Sequence, residues 1–337
     1  MQRRPPPGQI HTMLLSSALL LTACQAPDPS DAFDSDYSPP RTSYGDPDLQ
    51  GIWSNAVITP LERPRDLGDK EFLTPEEAAV YEQERLAATN RDQRPDNVAT
   101  DVGNAYNNFW WDSGDNVVAT RRTSLIVDPP DGRIPPLTAE AERRLESDPG
   151  FLGRRAADTF ANFTDGPEQQ DLMTRCIQFG SAGPPMLPSA YNNNYHLVQT
   201  EDHVLIINEM VHETRVIPLD GRAPLPKGLR QWLGSSRGHF DGDTLVVETS
   251  NFRPETAFRG ASENMRLTER FTRIDDNVLL YEFTVDDPST FTRPWTAQIP
   301  SVRVDDLMYE YACHEGNRGL YGILAGARAA EAAAEAD

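Results

Sequence analysis

From about Asn192 to His314 the chain reads as one short strand after another. The runs are "NNYHLVQ", "HVLIINEM", "TRVIPLDG", "GHFDGDTLVVETSNF", "MRLTERFTRI", "NVLLYEFTVDD", "RPWTAQIPSV" and "DLMYEYACH". Turn signals separate them: Glu201-Asp202, Asp220-Gly221, Asp241-Gly242 and Asp275-Asp276-Asn277. Asp-Gly between apolar runs is the strongest short hairpin signal. Strands at this spacing predict an antiparallel meander that closes into a barrel or a sandwich. One short helix, "KGLRQWLG" ending at Gly234, is expected to interrupt it. There is no internal repeat.

The N-terminal half is organised differently. Arg3 and Arg4 precede the apolar run Met13 to Leu21, which is short for a membrane span but suits a signal-peptide core. The run ends in "LTAC", a small-residue site closed by Cys24, which resembles the lipobox of bacterial lipoproteins. Residues 1–24 are therefore read as a signal with lipidation at Cys24. Gln25, in place of aspartate, points to the outer membrane, facing the periplasm. Residues 25–47, rich in Pro, Asp and Ser, read as a disordered tether. Residues 48–330 read as a single β-barrel-type domain with helical insertions, and 331–337 as a flexible tail. Thr74, Pro75 and Glu77 are the cap, first position and capping-box partner of a helix in "PEEAAVYEQERLAAT". A weaker helix starts at Thr138. Between the two, "RTSLIVD" is a short strand and "PPDGR" a turn. The segment from Arg318 begins as an amphipathic helix and frays into an alanine- and acid-rich end.

The formal charge is −21 over 337 residues. Residues 1–23 carry two cations and no acid, so their removal gives −21 − 2 = −23. Nucleic acid is excluded as a partner, because phosphate binding needs clustered Lys and Arg. Contact with a membrane rests on the lipid alone. In an oxidising compartment Cys176 and Cys313 read as a disulfide. The alternative pairs Cys313 with His314 as a nucleophile.

The strands "SRGHFDGDTLVVETSNF", "RLTERFTRIDDNVLLYEFTVDDPSTFTRPWT" and "YEYACHEGN", with "YNNNYHLVQ", resemble a large family of secreted bacterial proteins of unassigned function. That resemblance runs from Asp48 to about Arg328 and implies no reaction, cofactor or catalytic residue. A weaker likeness is to lipocalins and other calycins, whose first strand carries Gly-x-Trp, as Gly51-Ile52-Trp53 does. It implies a mainly β fold: an antiparallel lipocalin-like meander barrel with a few peripheral helices, holding one small ligand. The long segment between Gly51 and Asn192 departs from a compact lipocalin and leaves the mode of closure open.

The polar candidates concentrate in "INEMVHETR", Ile207 to Arg215. Straight alternation separates Glu209 from His212, whereas a bulge near Met210 or Val211 brings them together beside a site. The plainer reading is a hairpin with a Glu209–Arg215 cross-strand pair, although "VHE" is a poor turn. Glu248, Glu269, Glu282 and Glu310 lie within other strands. They read either as solvent-facing or as interior carboxylates paired with Arg266, Arg270 or Arg293. Glu209, His212 and His314 are the candidate acid–base groups, with Asn194, Tyr195 or Arg293 holding a developing oxyanion. Arg215, Glu248, Glu269, Glu282, Arg293 and Trp295 join Asn194 and Tyr195 as ligand-binding candidates.

No Ser elbow, P-loop or dinucleotide fingerprint occurs, so no cofactor is expected. His212-Glu213 and His314-Glu315 lack the spacing of a zinc helix, the Asp-rich tether lacks EF-hand spacing, and no metal is expected. Tyr106, Phe109, Trp110 and Trp111 are either core or a sugar- or lipid-facing platform. The first reading is an envelope lipoprotein binding a small apolar or amphipathic ligand. The alternatives are a cofactor-free acid–base enzyme (isomerase, lyase or hydrolase) and a structural envelope protein with a filled core.

Overall fold

The computed structural model describes residues 37–94, 96–103, 107–147, 164–256 and 258–336. Cys24, the signal segment, most of the tether and Tyr106 lie outside the described residues. The elements in chain order are β1 (Gly51–Ser54), α1 (Pro75–Thr89), α2 (Val98–Gly103), β2 (Ile126–Asp128) and α3 (Ala139–Ser147). They are followed by β3 (Asn194–Gln199), β4 (His203–Asn208), β5 (Thr214–Pro218), β6 (Ser235–Asp241) and β7 (Thr244–Ser250). The chain ends with β8 (Arg266–Asp275), β9 (Val278–Asp286), β10 (Trp295–Val304) and α4 (Arg318–Ala336).

The fold is mainly antiparallel sheet with helices at its periphery. The strand order is β5-β4-β3-β1-β10-β9-β8-β7-β6, with β2 paired on β10 off this path. Two meanders, β3 to β5 and β6 to β10, are joined by the Gly-x-Trp strand, where Trp53 lies opposite Tyr195 on one side and Arg303 on the other. The sheet does not close into the expected barrel. Each ladder on the path is antiparallel, so with nine strands in it the two end strands, β5 and β6, run in the same direction. The antiparallel ladder that would complete the meander is therefore not available between them. Parallel neighbours also need a long crossover, and connection 219–234 is one.

The two edges nevertheless meet through side chains. A Cβ on Gly238 of β6 would stand 2.9 Å from both Ile217 and Leu219, so glycine is what lets the edges approach. Inward residues alternate with outward ones along β8 and β9, and Trp53, Tyr195, Phe271, Tyr281, Phe283 and Trp295 fill the interior with their own bulk. Trp295 packs edge-on against Phe283 and Phe291 and stacks on Phe258.

Several sequence expectations hold. Thr74 caps α1 in a capping box with Glu77, and Thr138 Oγ1 accepts from Ala141 N at 3.1 Å at the start of α3. Others are corrected. "DLMYEYACH" forms no strand: Leu307 and Tyr309 are exposed and no partner edge reaches them. "KGLRQWLG" forms no helix, because Asn251 Nδ2 occupies the carbonyls of Leu225, Pro226 and Leu229, while Gln231 bonds the end of β7. Tether residues 37–47 are bound to the sheet in part, through Tyr37 to Asp276 and Arg41 to Asp243. α4 continues to Ala336, in keeping with the helix propensity of its alanines.

Candidate functional site

"INEMVHETR" is the β4–β5 hairpin, and its tip buries Met210 and Val211 while leaving His212 exposed. Glu209 precedes a single 3₁₀ turn, Met210–His212, in which Val211 and His212 have φ of 61° and 45°. Left-handed backbone is costly for a β-branched residue. It is held here because Met210 and Val211 pack with Ala182, Tyr311 and Cys313. A turn without glycine or asparagine thus sits beneath the C-terminal segment, fixed there by the Cys176–Cys313 disulfide. The disulfide leaves Cys313 no thiol to pair with His314.

The expected Glu209–Arg215 pair does not form. The Glu209 carboxylate accepts from Asn194 N at 3.3 Å and Asn194 Nδ2 at 2.9 Å. Burial raises its pKa above the ordinary value, with the Asn194 hydrogen bonds opposing. His212 and His314 do come together, with ring centroids 6.2 Å apart. His212 Nδ1 lies 3.1 Å from the Tyr311 carbonyl oxygen and 3.9 Å from Glu310. No hydrogen bond or ion pair joins the Glu209 carboxylate to either ring. Among the described residues no three His, Cys, Asp or Glu side chains are grouped to hold a metal.

Of the strand carboxylates, Glu269 alone among Glu248, Glu269, Glu282 and Glu310 is buried. Its partner is none of the expected arginines but Arg215, which donates to it at 2.6 and 2.9 Å. Tyr281 Oη also donates to Glu269, at 2.8 Å, and accepts from Met186 N at 3.1 Å. Burial works against the Arg215 charge, and Glu269 more than offsets it, so the guanidinium is held above its ordinary pKa. Burial and the Glu269 charge push Tyr281 well above the usual phenol range.

Glu248 is exposed, and Glu282 faces outward and accepts from Gln298 at 2.8 Å. Arg293 is an exposed partner of Asp128 at 2.8 Å, and Trp295 belongs to the core. Asn194 and Tyr195, adjacent on β3, point to opposite faces, so they do not form one oxyanion site.

A cavity of about 610 Å³ opens at the seam where β5 and β6 begin, under the crossover connection. Arg215, Arg230, Arg237, Arg253, Glu213 and Trp232 are among its walls. Arg253 stacks over Trp232 at 4.1 Å. Burial raises the Glu213 carboxyl, with His212 and Arg215 opposing. Sequence reasoning named Arg215 for a site but missed Arg230, Trp232, Arg237 and Arg253. A signal was present: "KGLRQWLGSSRGH" gathers Lys227, Arg230 and Arg237 around a tryptophan in a strongly acidic chain.

No family model and no curated protein matches the chain. Among solved structures, one similar chain is a variant of the fluorescent protein UnaG, at 15% identity and a TM-score of 0.21. The match covers 34% of this chain and 72% of that one. A likeness this slight carries no function across.

Proposed function

We propose that the protein binds a small amphipathic molecule at the open seam between β5 and β6. On this reading it is a lipocalin-like envelope protein, anchored through Cys24 at the outer membrane, whose ligand sits at the gap in the sheet and not in a central cavity. One observation carries it: a cavity of about 610 Å³, within the usual size of small-molecule sites, is lined by both an indole and guanidinium groups. The interior itself is filled by aromatic side chains, which supports a site at the seam over one in the centre.

The acid–base enzyme reading has weaker support, since Glu209 is engaged with Asn194 and not with the histidines. The test is a fluorescence titration of the purified full chain with the neutral amphipathic probe N-phenyl-1-naphthylamine. Val216 is 56% exposed and lines the cavity, so Val216→Trp fills the site without touching the core. Saturable binding that Val216→Trp abolishes supports the proposal. No saturable binding of this probe or of a charged analogue, or binding indifferent to that substitution, leaves the structural reading.

A further inference from the structure

Among the described residues, the seam cavity holds one arginine without an ion-pair partner, and the carboxylate in its own wall, Glu213, makes no ion pair with it. Three of its arginines have carboxylates of their own: Arg215 has Glu269 at 2.6 Å, Arg230 has Glu263 at 3.3 Å and Arg253 has Glu255 at 2.7 Å. Arg237 differs. Its guanidinium donates to neutral oxygens, Ser235 Oγ at 3.2 Å, the Ser236 carbonyl at 2.5 Å and the Ala223 carbonyl at 3.3 Å. Its Nε is buried without a partner, as is the Nε of Arg215. Glu248 is opposite Arg237 in the β6–β7 ladder, yet the guanidinium turns from it toward the crossover, and no ion pair joins them. Among the described residues no carboxylate lies within ion-pair distance of Arg237.

A half-buried guanidinium without a counter-ion is unfavourable, and a chain of net charge −21 does not lack carboxylates to supply one. Beside Arg237 the cavity also offers apolar wall: Val216, Leu225, Trp232 and Leu233. The positive charge of Arg237, with one Nη2 proton not engaged by the protein, next to an apolar wall fits an acidic head on a hydrophobic body. We propose that the ligand of the seam cavity is an anionic amphiphile, its acidic group on Arg237 and its apolar body against Trp232 and Val216. This rests on the ligand-binding reading above and names the ligand's chemical class.

The experiment compares two probes on the purified full chain: 8-anilinonaphthalene-1-sulfonate and its uncharged relative N-phenyl-1-naphthylamine. Because a hydrogen-bonded charge contributes about 1.5–3 kcal/mol, the sulfonate should bind roughly ten- to a hundredfold more tightly than the neutral probe. Arg237→Gln should weaken the sulfonate far more than the neutral probe and so remove that preference, while Arg237→Lys should keep most of it. Thermal midpoints near that of the parent would show that both variants fold. Equal affinities for the two probes, or a sulfonate preference that survives Arg237→Gln, would overturn the anionic assignment while leaving a binding cavity. Failure of both probes to bind, or binding that Val216→Trp does not affect, would overturn the cavity reading and the assignment with it. If Arg237→Gln does not fold, the Arg237→Lys variant and the salt dependence decide. A sulfonate affinity that does not fall between 50 mM and 500 mM salt, while the neutral probe stays constant, counts against the assignment.

Discussion

Arg215 on β5 reaches through the interior to Glu269 on β8, and the pair spans the one place where the sheet has no ladder. From β5 the path to β8 across the seam passes β6 and β7, so the ion pair ties one unpaired edge, β5, to a strand two places in from the other. Both groups are buried, and Tyr281 supplies a third hydrogen bond. Removing one partner leaves a buried charge alone. Arg215→Met or Glu269→Leu should each destabilise the fold by about 3–5 kcal/mol, whereas the two together should cost less than the sum of the single changes. Urea unfolding of the three variants measures this. Additive losses would mean that the pair does not act as a unit.

Glu209 gives a pH dependence with a definite sign. Its carboxyl is raised above the ordinary 4.5, chiefly by burial, so its contribution to stability is fully present below the unfolded pKa and is lost as pH rises through the folded one. Glu209→Gln keeps an acceptor for Asn194 and cannot ionise. The variant should therefore gain stability relative to the parent as pH rises from about 4 to 7. Thermal midpoints across that range check it, and a difference that is flat or runs the other way would count against a raised pKa.

The Cys176–Cys313 link closes a separation of 137 residues and holds Tyr311 and Cys313 over the buried Met210–Val211 tip. In the chain-entropy model its loss costs about 4–5 kcal/mol. Cys176→Ser with Cys313→Ser should lower the denaturation midpoint and speed amide exchange at Met210 and Val211. Unchanged exchange there would show that the tip keeps its left-handed backbone without the clamp.

Much of this arrangement was legible in the sequence, for physical reasons that also mark where reading stopped. The period-two pattern of β8 and β9 and the capping box at Thr74 are local, and local signals decide those elements. The Cys176–Cys313 pair followed from redox compartment and count. The parity of the strands was not legible, because it depends on β1 entering between β3 and β10. That insertion is what makes β5 and β6 parallel edges and opens the seam. Glu269 was one of four strand carboxylates that the sequence did not tell apart, and its partner lay across a gap that the sequence did not announce. The "VHE" tip looked like a poor turn for the right reason: Val211 is buried and tertiary contacts hold it, while His212 beside it is exposed.

The last prediction concerns the seam itself. If β5 and β6 are closed by packing and not by backbone hydrogen bonds, the contact should be sensitive to volume at Gly238. Its backbone needs no left-handed conformation, so any cost of a side chain there is steric. A Cβ would stand 2.9 Å from Ile217 Cγ2 and from Leu219 Cδ2, with Leu245 next at 3.5 Å. Alanine would require those side chains to shift by a few tenths of an ångström, and valine would force them out of register with the buried Leu245. Overpacking of this kind costs about 1–3 kcal/mol, so Gly238→Val should be the more destabilised of the two. Because the displaced side chains are those that seal the seam, it should also speed amide exchange on β5 while leaving β8 and β9 protected. Exchange mapped by mass spectrometry separates the outcomes. Selective opening of β5 would confirm a packed seam, while uniform protection would mean that β5 is held by its Arg215–Glu269 tie to β8 and not by packing on β6.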